Sequence, residues 1–523
     1  MTDPGHAAFG LDGDFTAAWL AARRLADVAE RDLLAVAPAV VAALTGLLVR
    51  NDHARQTQAR ILYRDAAGIL VRLLAGGGPE QAASARRALT AALATPGKPR
   101  LAAAEAVGGL PLAGIVPPEP PLADQAARPA PLATLLARAG ADPAAKPRRA
   151  GRSLVAPARR PGRLVVVKCL RHGEDPVGLV LEGAWMERCA AMDFPAPCHV
   201  PTPFHDGGAM LWAVAEALPD IPGRDRQGRC LAYVAREDYF RYPNDPCPDG
   251  FDGEALRATL GRAALLLGWL AGQGVVHEAA IPLFHNRVQR ERREDAGVYD
   301  WRLPGRLDRW LDSSRHPNFG VSGLRDFEHL VCLSGAPGKL YRHLGNHFIS
   351  LLLVAGSAFR QRDPGLVGLM PDGAPADARH LFDEAALARI IETIFAGYHE
   401  GFVGTPAAPP FSARDLARRM IEEMGVDRHM TELLRVADQE AMSDAAFVEF
   451  LTSRGLTPEA ARAHTRGAAD VELVTGPHLG DFNNRTSLPE LNEATAAAVA
   501  ACLAARHASD LWGKAKGTGG KPF

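Results

Sequence analysis

A glycine-ended helix that feeds two clusters of polar side chains constrains this chain more than any other stretch. FDGEALRATLGRAALLLGWLAGQG (Phe251–Gly274) sets Leu256, Leu260, Ala263, Leu267 and Leu270 on one stripe, and Gly272 and Gly274 end it. The chain continues GVVHEAAIPLFHNR (Gly274–Arg287), which carries His277, Glu278, His285 and Asn286. After a charged surface insertion between Asn286 and Asn318, GVSGLRDFEHL (Gly320–Leu330) reads as a short apolar strand running into Arg325-Asp326-Phe327-Glu328. Carboxylate and amide oxygens suit a hard divalent cation, and a neighbouring cation suits phosphate.

The chain has 523 residues, enough for two or three domains or subdomains. A net charge of -1 steers it globally neither to nucleic acid nor to an anionic membrane, so neither is expected as a partner. Its seven cysteines are scattered, odd in number and without a CxxC. That argues against a disulfide framework or a zinc ribbon and fits a reducing cytoplasm. The opening MTDPGHAAFGLDGDF lacks the pattern of a signal peptide. The longest apolar stretches, Ala35–Val49 and Phe348–Phe359, are too short to span a bilayer.

Taken in order, the chain reads as an α+β protein. Residues 1–95 form a helical N-terminal region, with Phe15, Trp19, Leu33, Val40, Val41, Leu44, Leu47 and Leu48 at helical spacing. Residues 96–162 are crowded with prolines and read as a linker with one short helix near Leu132–Ala139. Residues 163–250 alternate strand, helix, strand and strand, a mixed, mostly antiparallel sheet subdomain. RLVVVKCL (Arg163–Leu170) is its buried strand, with Lys168 near the end; Glu182 and Glu187 lie on the helix Leu179–Met192. Residues 251–523 are helix-rich, including Lys339–Phe359 with Asn346 and His347 inside its apolar run. GPHLGDFNNRTSLPELN (Gly476–Asn492) is a polar, turn-rich tail that either folds over a site or crosses the surface.

Each polar residue also has a bland reading. Lys168 can be a strand-end lysine that reaches solvent. Asp326 can belong to an ordinary ion pair with a neighbouring cation. His277 reads as a satisfied helix-end histidine, and Asn346 and His347 as buttresses.

Two resemblances organise these residues. In order, VVVK, Glu182 or Glu187, HEAAIPLFHN and RDFE resemble the β3 lysine, helix-C glutamate, catalytic loop and metal-binding DFG of the protein-kinase-like fold. The glycine-rich loop and the catalytic-loop aspartate of that fold are missing. The second resemblance covers more of the chain, roughly Arg163 to Phe359. The sequence resembles the NRPS-independent siderophore synthetases, the aerobactin-synthetase (IucA/IucC) family. A helix ending in Gly-Val, then His277-Glu278-Ala279, His285-Asn286, Leu324-Arg325-Asp326-Phe327-Glu328 and Asn346-His347-Phe348 follow that family's order. The departures are an Ile-Pro-Leu-Phe insertion in the Glu-Ala-His-x-Gln-Asn box, His329 in place of glycine, and only Arg152-Ser153-Leu154 and Arg159-Arg160 where a Ser-x-Arg-Thr phosphate segment is expected.

The second resemblance implies an ATP-binding subdomain, a palm-like helical subdomain, and a ligase that adenylates a citrate-like carboxylic acid with ATP and Mg²⁺ and condenses it with an amine or hydroxyl. By that resemblance Asp326, Glu278 and Asn286 hold Mg²⁺ and phosphates. Lys168, Arg159 and Arg160 stabilise phosphate charge. His285 contacts the carboxylate substrate or the phosphates, and Arg325 pairs with a carboxylate. The partners are small-molecule carboxylate and amine substrates, and the resemblance suggests a homodimer. The alternatives are a kinase-like phosphotransferase or nucleotidyltransferase, and a non-catalytic relative that binds nucleotide or partners.

Overall fold

The computed structural model describes residues 10–56, 58–108, 118, 129–150, 152–170, 176–215, 228–243, 245, 253–281, 314–333, 340–362, 384–421, 442–453 and 489–508. Within them the chain mixes helices with small antiparallel sheets.

Six helices come first: α1 (Phe15–Ala26), α2 (Glu30–Ala35), α3 (Ala37–Arg50), α4 (Ala59–Gly76), α5 (Pro79–Ala94) and α6 (Lys98–Gly108). The expected apolar spacing is what they bury. In α3, Val40, Val41, Leu44, Leu47 and Leu48 all face inward. Asp14 caps α1 by accepting from the Ala17 backbone N–H, and Asn51 ends α3 in the left-handed region at φ 54°. These helices do not stand apart. α5 and α6 pack on the last helix, α13 (Pro489–Ala508), and α6 also meets α10 (Leu340–Arg362). Gly108 lets α6 come so close that a Cβ there would lie 3.2 Å from the Tyr341 backbone nitrogen.

A short helix, α7 (Leu132–Arg138), precedes a six-stranded sheet. Its strands are β1 (Arg148–Ala150), β2 (Ser153–Pro157), β3 (Arg163–Cys169), β4 (Thr202–Pro203), β5 (Leu211–Ala213) and β6 (Arg229–Arg236). The order is β1-β2-β3-β6-β4, with β5 also pairing β6, and every pair is antiparallel. The sheet therefore begins at Arg148, inside the stretch expected to be a linker. The proline density that suggested a boundary also hid two short strands and the helix α6.

Side-chain alternation splits β3 between two cores. Val165 and Val167 pack with Leu135, Leu136 and Trp212 under α7. Val166 points the other way, towards α8 (Val177–Ala190). Lys168 shares its parity with Val166, so the pleat delivers its ammonium to the α8 face.

The helical half rests on α9 (Gly253–Gly272) packed along α11 (Glu384–Val403). Their backbones touch through glycines: a Cβ on Gly268 would lie 2.3 Å from the Tyr398 carbonyl oxygen. After α9, Gly274 at φ 78° turns the chain into β7 (Val275–His277), as the glycine-ended helix predicted. Then come the small hairpin β8 (Phe319–Gly320) and β9 (Gly323–Leu324), and β10 (Leu330–Cys332) antiparallel to β7. α12 (Asp444–Ser453) lies between α11 and α13 in sequence. No helix among the described residues is long and apolar enough to cross a membrane.

Candidate functional site

Lys168 is the hub of the site. Its ammonium lies 2.8 Å from Glu182 Oε2 on α8, 2.6 Å from Asp326 Oδ1 and 3.4 Å from Glu328 Oε1. Arg152, from the turn between β1 and β2, closes on the same Glu328 carboxylate. The register explains why these meet: Ser153 is the strand partner of Lys168. The hairpin therefore ends beside the lysine.

Three carboxylates thus share two cations. Burial alone would lower the Lys168 pKa, but Asp326, Glu182 and Glu328 hold it above its ordinary value. Burial pushes the Glu182 carboxyl up to about 7, against the pull of Lys168. Burial also opposes ionisation of Asp326, yet Lys168 and His329 keep it well below the usual carboxylate range. Glu328 is lowered in the same way: Lys168 and Arg152 outweigh burial. Lys168 and Glu182 are almost fully buried, whereas the Asp326 side chain is 37% exposed. Asp326 is the acid of this cluster best placed to meet an incoming ion.

Asp326 is held in an unusual conformation, at φ 53° and ψ 56°, one of two described non-glycine residues with positive φ. The backbone around it is pinned. His277, at the end of β7, places Nε2 2.9 Å from the Arg325 carbonyl oxygen. The Glu278 N–H donates to the His329 carbonyl at 2.9 Å, and the Arg325 N–H to the Asn318 carbonyl at 2.9 Å. Behind His277, His347 Nε2 lies 3.2 Å from its backbone nitrogen, and His347 Nδ1 lies 2.9 Å from the Tyr398 hydroxyl. Burial lowers the pKa of both histidines, that of His347 to about 3, so both are neutral hydrogen-bonding supports. This is the buttressing expected of His347.

A cavity of about 450 Å³ opens beside the cluster. Arg148, Arg149, Arg152, Lys168, Arg325 and Asp326 line it together with Tyr233, Tyr239, Phe240 and Tyr242. Its lining is strongly cationic.

A divalent cation can be accommodated. Ligating atoms of Asp326, Glu328 and His329 lie within 4.8 Å of one another. Mg²⁺ favours oxygen, so Asp326 and Glu328 are the donors that fit, while the His329 imidazole suits a softer ion better.

The expected residues divide cleanly. Lys168, Asp326 and Arg325 line one cavity. Glu278 is half-buried and tied by its backbone to the RDFE segment. His285 and Asn286 lie outside the described residues, as does most of the Gly476–Asn492 tail. Arg159 and Arg160 are not brought to the site. They are exposed at the β2–β3 turn, where the Arg159 N–H bonds Gly140. Residues that the pattern undervalued take their place: Arg148 and Arg149, Arg152, Ser153, Glu328 and the tyrosines after β6. The signal available in sequence was the arginine run before a strand, RRAGRS, at residues 148–153.

Comparison of the chain with protein-family models and with curated proteins finds no match to either.

Proposed function

We propose that this cleft binds Mg²⁺–ATP and uses it to activate a carboxylic acid for ligation to an amine or hydroxyl. The observation that carries the reading is Lys168, buried between Glu182 and Asp326 and flanked by an arginine-bearing hairpin at a cationic cavity. Triphosphate chemistry needs preplaced positive charge, a metal-holding carboxylate and rigid positioning. Arg152 and Ser153 stand beside Lys168, on the strand before it, where the siderophore-synthetase resemblance expects its phosphate-binding segment.

In this reading a substrate carboxylate oxygen attacks the α-phosphorus of ATP, and the bond to pyrophosphate breaks. An amine or hydroxyl then attacks the acyl carbon, AMP leaves, and the nucleophile gives up its proton. Lys168, Arg152 and the Arg148–Arg149 pair offset phosphate charge. Asp326 and Glu328 hold Mg²⁺. The sheet with its hairpin serves as the ATP-binding subdomain, and the helical half as the palm. The test is pyrophosphate release from Mg²⁺–ATP with citrate, succinate or 2-oxoglutarate, using hydroxylamine as nucleophile. Acid-dependent pyrophosphate and a hydroxamate product are expected. ATP binding without either product, across the panel, rejects acyl activation.

A second reading has its own observation. The Lys168–Glu182 ion pair and the left-handed Asp326 keep the order of the kinase-like resemblance, which transfers the γ-phosphoryl group instead. It predicts ADP and a phosphorylated acceptor; the ligase reading predicts AMP and pyrophosphate.

A further inference from the structure

Two thiols lie behind the site, on the opposite face of its sheet. Cys169 is the last residue of β3 and Cys230 the second of β6, and the two are direct strand partners. Both are buried in the core under α7, and both are free thiols. Lys168 is the residue before Cys169, so its ammonium leaves by the other face. The Leu170 N–H donates to the Arg229 carbonyl, whereas the Cys169 N–H turns away to the Arg152 carbonyl. Cys169 and Cys230 are therefore a pair without mutual backbone hydrogen bonds, the kind whose side chains stand closest. Their sulfurs lie 3.7 Å apart. Such pairs hold their Cα atoms about 4.5 Å apart, inside the range that a disulfide spans. A core cysteine is ordinarily a small apolar side chain. Register, and not burial, sets this pair apart.

We propose that Cys169 and Cys230 are a redox-sensitive staple: hydrogen peroxide closes them into a disulfide that ties β3 to β6 behind Lys168, and a thiol reductant reopens it. One sulfur attacks a peroxide oxygen; an S–O bond forms, the O–O bond breaks, and water leaves with the thiol proton. The second sulfur then attacks the first; the S–S bond forms, the S–O bond breaks, and a second water leaves with the second proton. The sulfurs together lose two electrons and the peroxide gains them. Both thiols are buried, so the oxidant must be small and must enter when the sheet end opens locally. The bond joins residues 61 apart in sequence, which restricts the unfolded chain. It also fixes the strand end that carries Lys168 and, through the Cys169 N–H, the turn that carries Arg152.

The experiment treats the reduced full chain with hydrogen peroxide, blocks the remaining thiols with iodoacetamide, and maps the peptides by mass spectrometry without reductant. A linked pair of peptides carrying Cys169 and Cys230 is expected, with the other cysteines blocked singly. Dithiothreitol should separate the pair. The bridged chain should unfold in urea at a midpoint higher by about 0.5 M or more, and lose that gain on reduction. Cys169 and Cys230 blocked singly, oxidised singly or joined to other cysteines overturn the proposal. So does a bridged chain whose midpoint is unchanged or lower, because the bond would then strain the sheet instead of locking it. Cys230→Ala should abolish both the link and the redox-dependent gain, and Cys502→Ala should keep both. The mapping uses the unaltered protein, so a folding defect in a variant cannot mask the answer. Neither readout depends on what the cleft binds.

Discussion

Lys168 and Arg325 are two cations on the wall of one cavity, and their surroundings are opposite. Lys168 sits among three carboxylates, supplied by α8 and by the segment after β9. Arg325 sits among three aromatic rings and forms no ion pair with an acid among the described residues, although Asp326 favours its charge. The first charge is already matched, so its work is to fix the geometry of Glu182, Asp326 and Glu328. The second has no ring of acids: Tyr242, Tyr239 and the adjacent Asp326 offset its burial and hold its charge. Two residues of the same charge on one wall are therefore held in different ways, the buried Lys168 by acids and the half-buried Arg325 by aromatic side chains.

The strongest way to break that contrast is to remove each cation in turn. Lys168→Met leaves two or three buried acids facing one another, and should cost about 3–5 kcal/mol in chemical denaturation. Arg325→Met strands no acid and should cost much less, roughly 0–2 kcal/mol. Equal losses would show that both cations are structural. Next in size is the reaction itself. Asp326→Asn keeps the shape and removes the charge meant for Mg²⁺, so Mg²⁺-dependent ATP turnover should fall about 10²- to 10³-fold. Its stability should also fall at neutral pH, because Lys168 and His329 hold the ionised Asp326 carboxylate well below its usual range in the folded chain. Unaltered turnover would take Asp326 out of the metal site.

Why the two ends differed in legibility follows from the same contrast. The helices were readable because each buries an apolar stripe at local spacing, as in α3 and α9. Asp326 and Lys168 were readable because short motifs surround them: RDFE after a glycine-rich apolar pair, and VVVK at a strand end. Arg152 was not, because its importance depends on the register that sets Ser153 against Lys168, and pairing register is a long-range property. The aromatic cage was also hidden. Tyr239, Phe240 and Tyr242 look like an ordinary strand exit, EDYFRY, until the fold brings Arg325 under them from more than eighty residues away. Arg159 and Arg160 failed for the converse reason: they are close to Lys168 in sequence but lie at the far end of the hairpin.

A subtler test addresses the acid-rich end alone. The Glu182 carboxyl titrates at about 7 in the folded chain, above its ordinary value near 4.5. The folded state therefore holds that proton more tightly, and the stability it brings is complete below about pH 4.5 and fades as pH rises through 7. Asp326 and Glu328 are shifted down, so their contribution runs the other way: present above their ordinary values and lost only in stronger acid. Between about pH 5 and 7 Glu182 adds a component that falls with pH, while the buried His277 and His347, lowered from their ordinary value, add one that rises with it. Glu182→Gln, which mimics the protonated form, should remove the falling component, so the difference between its stability curve and that of the unaltered protein should change across this range. Parallel curves for the two proteins would mean that Lys168 keeps Glu182 ionised throughout.

The smallest expected effect separates nearness in sequence from nearness in space. Arg159 and Arg160 lie beyond Pro157, whose partner Leu164 is four residues, or roughly 13 Å of strand, from Lys168. Arg159 is engaged with Gly140 and the α7 end rather than with the cavity. Replacing both by alanine should change stability by no more than about 0.5 kcal/mol and leave Mg²⁺–ATP affinity unaltered. Arg148→Ala with Arg149→Ala, the same loss of charge at the opposite end of the hairpin, should weaken Mg²⁺–ATP by about tenfold or more. If the two double variants behave alike, positive charge anywhere on the hairpin suffices and its placement does not matter. If they differ as expected, the β1–β2 turn is where this chain meets the phosphates.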